Sequence, residues 1–166
     1  MENFFGTFPS QTFLQLLLAV LLGAFVGLER ELRRKEAGMR TYALVSLGAA
    51  LFVVVAAQVM EQFSAMGYTT FDPTRILQAV AMGIGFLGTG IIIFRDPYVA
   101  GATTAAGVWV AAGIGAAVGF QLYWIAVIAS FLALFVLASL RKAEEQWIRK
   151  RQEQDGEQKK STRGQI

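Results

Sequence analysis

Residues 41–60, TYALVSLGAALFVVVAAQVM, contain no Asp, Glu, Lys or Arg. A run of this length makes about 30 Å of helix at 1.5 Å per residue, which matches the hydrocarbon core of a bilayer. Backbone amides inside lipid must hydrogen-bond to one another, and a continuous apolar segment does so as a helix. Residues 11–28, 76–94 and 98–140 are equally free of charge. The chain of 166 residues is 55% hydrophobic and only 16% charged. A small soluble domain cannot bury so much uncharged chain, so the sequence reads as an integral membrane protein.

Working outward, the spacing predicts five spans, at about 10–28, 39–60, 76–94, 103–119 and 122–140. Gly119, Phe120 and Gln121 are expected to form a tight hairpin between the last two. The expected fold class is an all-α membrane protein, a bundle of five transmembrane helices. Residues 1–9 would form an external segment. Residues 141–166 would form a basic cytoplasmic tail, helical at first and then disordered, because its end is rich in Gln, Lys, Glu and Gly. The first apolar run follows Glu2 with no basic residue before it and lacks a small-residue cleavage site. It is therefore expected to be retained as a span.

Fourteen of the fifteen basic residues fall on alternate loops of this arrangement. Arg30, Arg33, Arg34, Lys35 and Arg40 lie between the first two spans, Arg95 follows the third, and eight more follow the fifth. Arg75 alone lies on the other side. The positive-inside rule then places the N-terminus outside and the C-terminus in the cytoplasm. The same placement explains the net charge of +3 without a nucleic-acid partner, since the cations adjoin the hydrophobic runs and face anionic lipid.

Cysteine and histidine are absent from the sequence. This removes thiol catalysis, His-based triads, Cys/His zinc sites and histidine proton relays. Charges are missing from the interior of every span, and the polar side chains at depth are few: Ser46, Gln58, Gln78, Thr89 and Ser130. An intramembrane enzyme is not expected, because no base accompanies either serine. Only carboxylates, amides, hydroxyls and backbone oxygens could hold a metal, which suits a hard ion such as Mg2+.

Three constellations stand out. The third span carries Gly83, Gly85, Gly88 and Gly90 and the fourth Gly107, Ala111, Gly115 and Gly119; Ala79/Gly83, Gly107/Ala111, Ala111/Gly115 and Gly115/Gly119 are small-xxx-small pairs that let helix backbones approach closely, within one chain or across a homo-oligomer. The alternative is an interrupted helix whose exposed backbone binds an ion. The glycine run has no phosphate-loop lysine, so nucleotide binding is excluded. Glu29 and Arg40 bracket the first cytoplasmic turn at the edge of the hydrocarbon, with Thr41 beside Arg40. They are expected to pair with each other, or with Asp96 and Arg95, while Glu36 and Arg34 lie in solvent. Glu29 with Arg33, and Glu31 with Lys35, stand at favourable i,i+4 spacing in an extension of the first helix through Glu36, and Gly38 would end it or turn the chain. In the second cytoplasmic loop, Pro97 and Gly101 shape the chain, and Thr103 or Thr104 could cap the fourth helix. Glu29 and Asp96 are the candidate metal ligands.

Residues 27–31 (Gly-Leu-Glu-Arg-Glu), 38–41 (Gly-Met-Arg-Thr), 85–88 (Gly-Phe-Leu-Gly) and 101–106 (Gly-Ala-Thr-Thr-Ala-Ala) occur in the order found in the MgtC/SapB family of bacterial inner-membrane proteins. The resemblance covers about 14–140. It implies a polytopic, non-enzymatic membrane protein. It also implies a link to magnesium limitation and virulence, a membrane-protein partner such as the F-type ATP synthase, or, from the naming of the family, magnesium transport. The short tail resembles the SapB-like branch without an ACT-like C-terminal domain. Two functions are therefore expected: a regulator or stress-adaptation factor that binds another membrane protein, or a small ion transporter or channel, with magnesium as the favoured ion.

Overall fold

The computed structural model describes residues 10–67, 72–95 and 98–140. These form five α-helices and one short hairpin: α1 (Ser10–Leu32), α2 (Met39–Ala65), α3 (Thr74–Ile91), β1 (Ile93–Arg95), β2 (Tyr98–Ala100), α4 (Ala102–Gly119) and α5 (Tyr123–Phe135). The helices α1 to α4 are each long and apolar enough to cross a membrane. Residues beyond Ala133 belong to a second compact unit, whose described part is the end of α5 and a π-helical turn, Val136–Leu140. The expected external segment, 1–9, and the tail, 141–166, lie outside the described residues.

Small residues hold the bundle together. The buried stripe of α1 is Gln15, Ala19, Gly23, Val26, Gly27 and Arg30, which recur at helical spacing on one face. That of α2 is Tyr42, Ser46, Ala49, Ala50, Val53 and Val54. Helix α4 packs against α1, α2 and α3 and is buried on most of its surface, so its sequence is small and apolar all round. By contrast, α3 buries only Gly88. Large side chains point the other way: Met82 is 75% exposed and Phe86 81%. Water would penalise such a surface, whereas lipid tails solvate it and leave close backbone packing as the main source of association.

Several helix ends depart from the sequence-based bounds; α2, for one, continues past the expected 60 to Ala65. Helix α1 runs to Leu32 but not to Glu36: Arg34 takes a left-handed φ of 51°, and the amides of Arg34 and Lys35 bond back to the carbonyls of Glu31 and Arg30. The turn thus falls at Arg34 rather than at Gly38. The third helix stops at Ile91, because residues 93–95 leave the helix to pair antiparallel with 98–100, Ile93 opposite Ala100 and Arg95 opposite Tyr98. Gly101 then enters α4 with φ +86°, and a Cβ there would meet the Ile91 carbonyl, so this position requires glycine. Neither Thr103 nor Thr104 caps α4; its first turn is closed by the Ala105 amide bonding the Gly101 carbonyl. Between α4 and α5 the chain turns tightly through Phe120 and Gln121, the latter with φ 63°.

Candidate functional site

A buried polar network joins the C-terminal end of α1, the α1–α2 turn and the first turn of α4. At its centre is Thr104, 1% exposed. Its hydroxyl accepts a hydrogen bond from Arg30 Nη2 at 2.6 Å and donates one to Glu36 Oε2 at 2.8 Å. The Thr104 carbonyl accepts from the Tyr42 hydroxyl of α2 at 3.4 Å. Arg30 is 3% exposed, and its Nη1 lies 3.9 Å from Glu29 Oε2. Glu29 Oε1 is 3.2 Å from Arg33 Nε. Both Glu29 oxygens are closed to solvent and accept no hydrogen bond, so the carboxylate is held by charge. Arg30 Nε is likewise buried without an acceptor. On the turn itself, the Glu36 carboxyl is held below its ordinary pKa, first by its own backbone amide and then by the Thr104 hydroxyl, with the charges of Lys35 and Arg30 assisting. Glu31 Oε2 accepts from the Met39 amide at 3.1 Å and so closes the start of α2.

Chemically this arrangement is a latch. One guanidinium and one hydroxyl tie two helices and a connecting turn together, and the ionised groups compensate one another. Glu29 pairs with Arg30, its neighbour in the chain, and with Arg33, one turn further on, and not with Arg40. Arg40 and Thr41 are exposed and stand apart from the network, as does Thr103. Asp96 lies outside the described residues, and of Arg95 only the backbone, in β1, is described. Glu36 is exposed, as expected, and its carboxylate also reaches the network through the Thr104 hydroxyl. The i,i+4 pair Glu29–Arg33 forms, whereas Glu31 serves the Met39 amide instead of Lys35.

The glycines divide sharply. A Cβ at Gly83, Gly85 or Gly90 of α3 would meet open space, and one at Gly88 would make ordinary contact with Ala105 at 3.6 Å. In α4 the outcome is opposite: a Cβ at Gly107 would strike the Tyr42 side chain, one at Gly115 the Ser46 backbone carbonyl, and one at Gly119 would lie 2.6 Å from Val53 Cβ, while Ala111 is wholly buried. In α1 a Cβ at Gly23 would lie 2.6 Å from the Tyr42 carbonyl oxygen, and one at Gly27 2.8 Å from Met39 Cα, so both approach α2 as closely.

Residues 16–146 match the family model described as the MgtC family. The chain belongs to the MgtC family. Every member of the Arg30–Thr104–Glu36 network lies inside the matched region of this MgtC-family chain. It is 37% identical to the putative magnesium transporter YhiD of Escherichia coli K12 over 124 residues, 75% of this chain and 58% of that protein. It is 39% identical over 144 residues to protein SrpB of Synechococcus elongatus, covering 81% and 78% of the two chains. Protein MgtC of Salmonella typhimurium is 41% identical over 130 residues, 78% of this chain and 52% of that protein. The chain thus spans just over half the length of YhiD and MgtC. No solved structure matches it. The four long apolar helices fit a multi-pass membrane protein of this family.

Sequence reasoning missed Arg30, Glu36, Tyr42 and Gln15. For Arg30 a signal was present. It continues the spacing of Ala19, Gly23, Val26 and Gly27, so the small-residue face of α1 already carried it inward. Gln15 sits on the same face, and its Nε2 donates to the carbonyls of Val118 and Gly119, each at 2.8 Å, satisfying the end of α4. Nothing in the sequence marks Glu36, whose role depends on where the turn returns.

Proposed function

We propose that this MgtC-family protein is a non-enzymatic regulator that acts by binding another membrane protein, rather than a conduit for ions. The observation that carries this reading is the closure of the α1–α2–α4 core on glycine. Gly23, Gly27, Gly115 and Gly119 bring α1, α2 and α4 together so closely that a single added carbon would collide at each. Of the buried polar groups, Gln15 is held by α4 and Thr104 by Arg30 and Glu36, while the Ser46 hydroxyl is buried without a hydrogen-bond partner. The lipid-facing surfaces of α3 and α5 remain for a partner or a second copy.

Magnesium transport is the second reading, favoured by the similarity to YhiD, named a putative magnesium transporter. Glu29 suits it poorly as a ligand, because two guanidiniums already face its carboxylate. Among the described residues no three acidic side chains gather. Purified protein in liposomes should give no magnesium uptake above empty vesicles. Uptake that Glu29→Gln abolishes would overturn the regulator in favour of the transporter.

The orientation we infer has α5 and its π-helical turn as a fifth span, the N-terminus outside and the C-terminus in the cytoplasm of a bacterial inner membrane. It rests on the one-sided distribution of Lys and Arg. A reporter fused after Ile166 should read cytoplasmic and one inserted within 64–70 should read external. Two reporters on the same side would break the five-span count.

A further inference from the structure

The α1–α2 turn carries charge that the fold does not consume. Between residues 29 and 41 there are three carboxylates and five cations. Each carboxylate is committed: Glu29 to Arg33 and Arg30, Glu31 to the Met39 amide, and Glu36 to Thr104. Arg30 is buried and Arg33 is engaged. Arg34, Lys35 and Arg40 remain, all exposed, and their side chains make no hydrogen bond or ion pair among the described residues. Lys35 adds only a longer-range pull on Glu36. The backbone beneath them is pinned, with the Arg34 amide on the Glu31 carbonyl at 3.0 Å and the Lys35 amide on the Arg30 carbonyl at 3.1 Å.

Their depth is set by their neighbours. Leu21, Phe25, Leu28 and Leu32 form an exposed apolar stripe along α1 that ends with Leu32, 76% exposed. Met39, also exposed, opens α2. Arg34 and Lys35 follow Leu32 within three residues, and Arg40 follows Met39 directly. Where such stripes end, hydrocarbon gives way to headgroups, so these cations stand at phosphate level.

We propose that the α1–α2 turn binds the headgroup of an anionic phospholipid, with Arg34, Lys35 and Arg40 around its phosphate and the Thr41 hydroxyl as a further donor. A free phosphate would satisfy the cations but leave Leu32 and Met39 uncovered, whereas a lipid supplies acyl chains for both. The inference is independent of the regulator reading, and its failure would leave that reading intact.

The test uses the full chain in detergent, titrated separately with phosphatidylglycerol, phosphatidylcholine and inorganic phosphate while thermal unfolding is followed. Phosphatidylglycerol should stabilise at lower concentration than phosphatidylcholine, and inorganic phosphate at the same concentration should not. Arg34→Gln or Arg40→Gln should each weaken the apparent affinity for phosphatidylglycerol about fivefold. Combining both with Lys35→Gln should erase its advantage over phosphatidylcholine, while Arg75→Gln retains it. If the triple variant fails to fold, the single variants decide. A preference undiminished by these substitutions, or stabilisation by inorganic phosphate equal to that by lipid, would overturn the assignment.

Discussion

Gly115→Leu will prevent assembly of the native bundle. The α-hydrogen of Gly115 faces the backbone carbonyl of Ser46, with the Ser46 carbonyl carbon and Cα close behind. These are backbone atoms of α2, so no rotamer change can make room, and the two helices must separate. Overpacking in a rigid site typically costs about 1–3 kcal/mol and sometimes more, and a leucine against backbone belongs at or beyond the top of that range. Gly115→Ala should already lower the melting temperature of the protein in detergent. Gly113, two residues away, has nothing within 4 Å of where its Cβ would lie, and Gly83 in α3 is equally open. Gly113→Ala and Gly83→Ala should therefore melt like the parent protein. If all three alanine variants melt alike, the close approach of α4 to α2 is not the contact that holds the bundle.

Arg30→Gln should be the most damaging change among the charged residues, costing about 3–5 kcal/mol, the range for breaking a buried ionic pair from one side. It withdraws the donor to Thr104 and leaves the desolvated Glu29 carboxylate with Arg33 alone. Thr104→Val keeps the shape but removes the hydroxyl, leaving Arg30 without an acceptor and Glu36 without its donor. Loss of hydrogen bonds to charged groups sets the cost at about 1.5–3 kcal/mol. Thr104→Ser should restore most of it. The Glu36 arm adds an acid dependence. Its carboxyl titrates below the ordinary range in the folded protein, so its contribution is present above the unfolded pKa and is lost as pH falls through the folded one. Glu36→Gln should flatten that part of the stability profile. Thermal melts of the four variants across pH would check the set; an Arg30→Gln protein as stable as an Arg40→Gln protein would mean that the latch contributes nothing.

The sequence by itself determined the helices that can cross a membrane and the family. Both follow from local pattern. Uninterrupted apolar runs can satisfy their backbones in lipid only as helices, and motif order survives in the linear text. The small-residue faces were also legible, because helical periodicity places Ala19, Gly23, Val26, Gly27 and Arg30 on one side of α1 whatever it packs against. Which of the glycines are contacts was not legible. Gly83, Gly85 and Gly90 sit in as glycine-rich a helix as Gly107, Gly115 and Gly119, yet only the second set meets α2, since α4 lies inside the bundle and α3 at its edge. The partner of Glu29 was not legible either. The rotation of α1 brings Arg30 and Arg33 to it, and the left-handed turn at Arg34 sends Glu36 back over Thr104, 68 residues away in sequence. Charge pairing at a helix end depends on distances of a few ångströms, and only the packed arrangement of α1, α4 and the turn between α1 and α2 sets those distances.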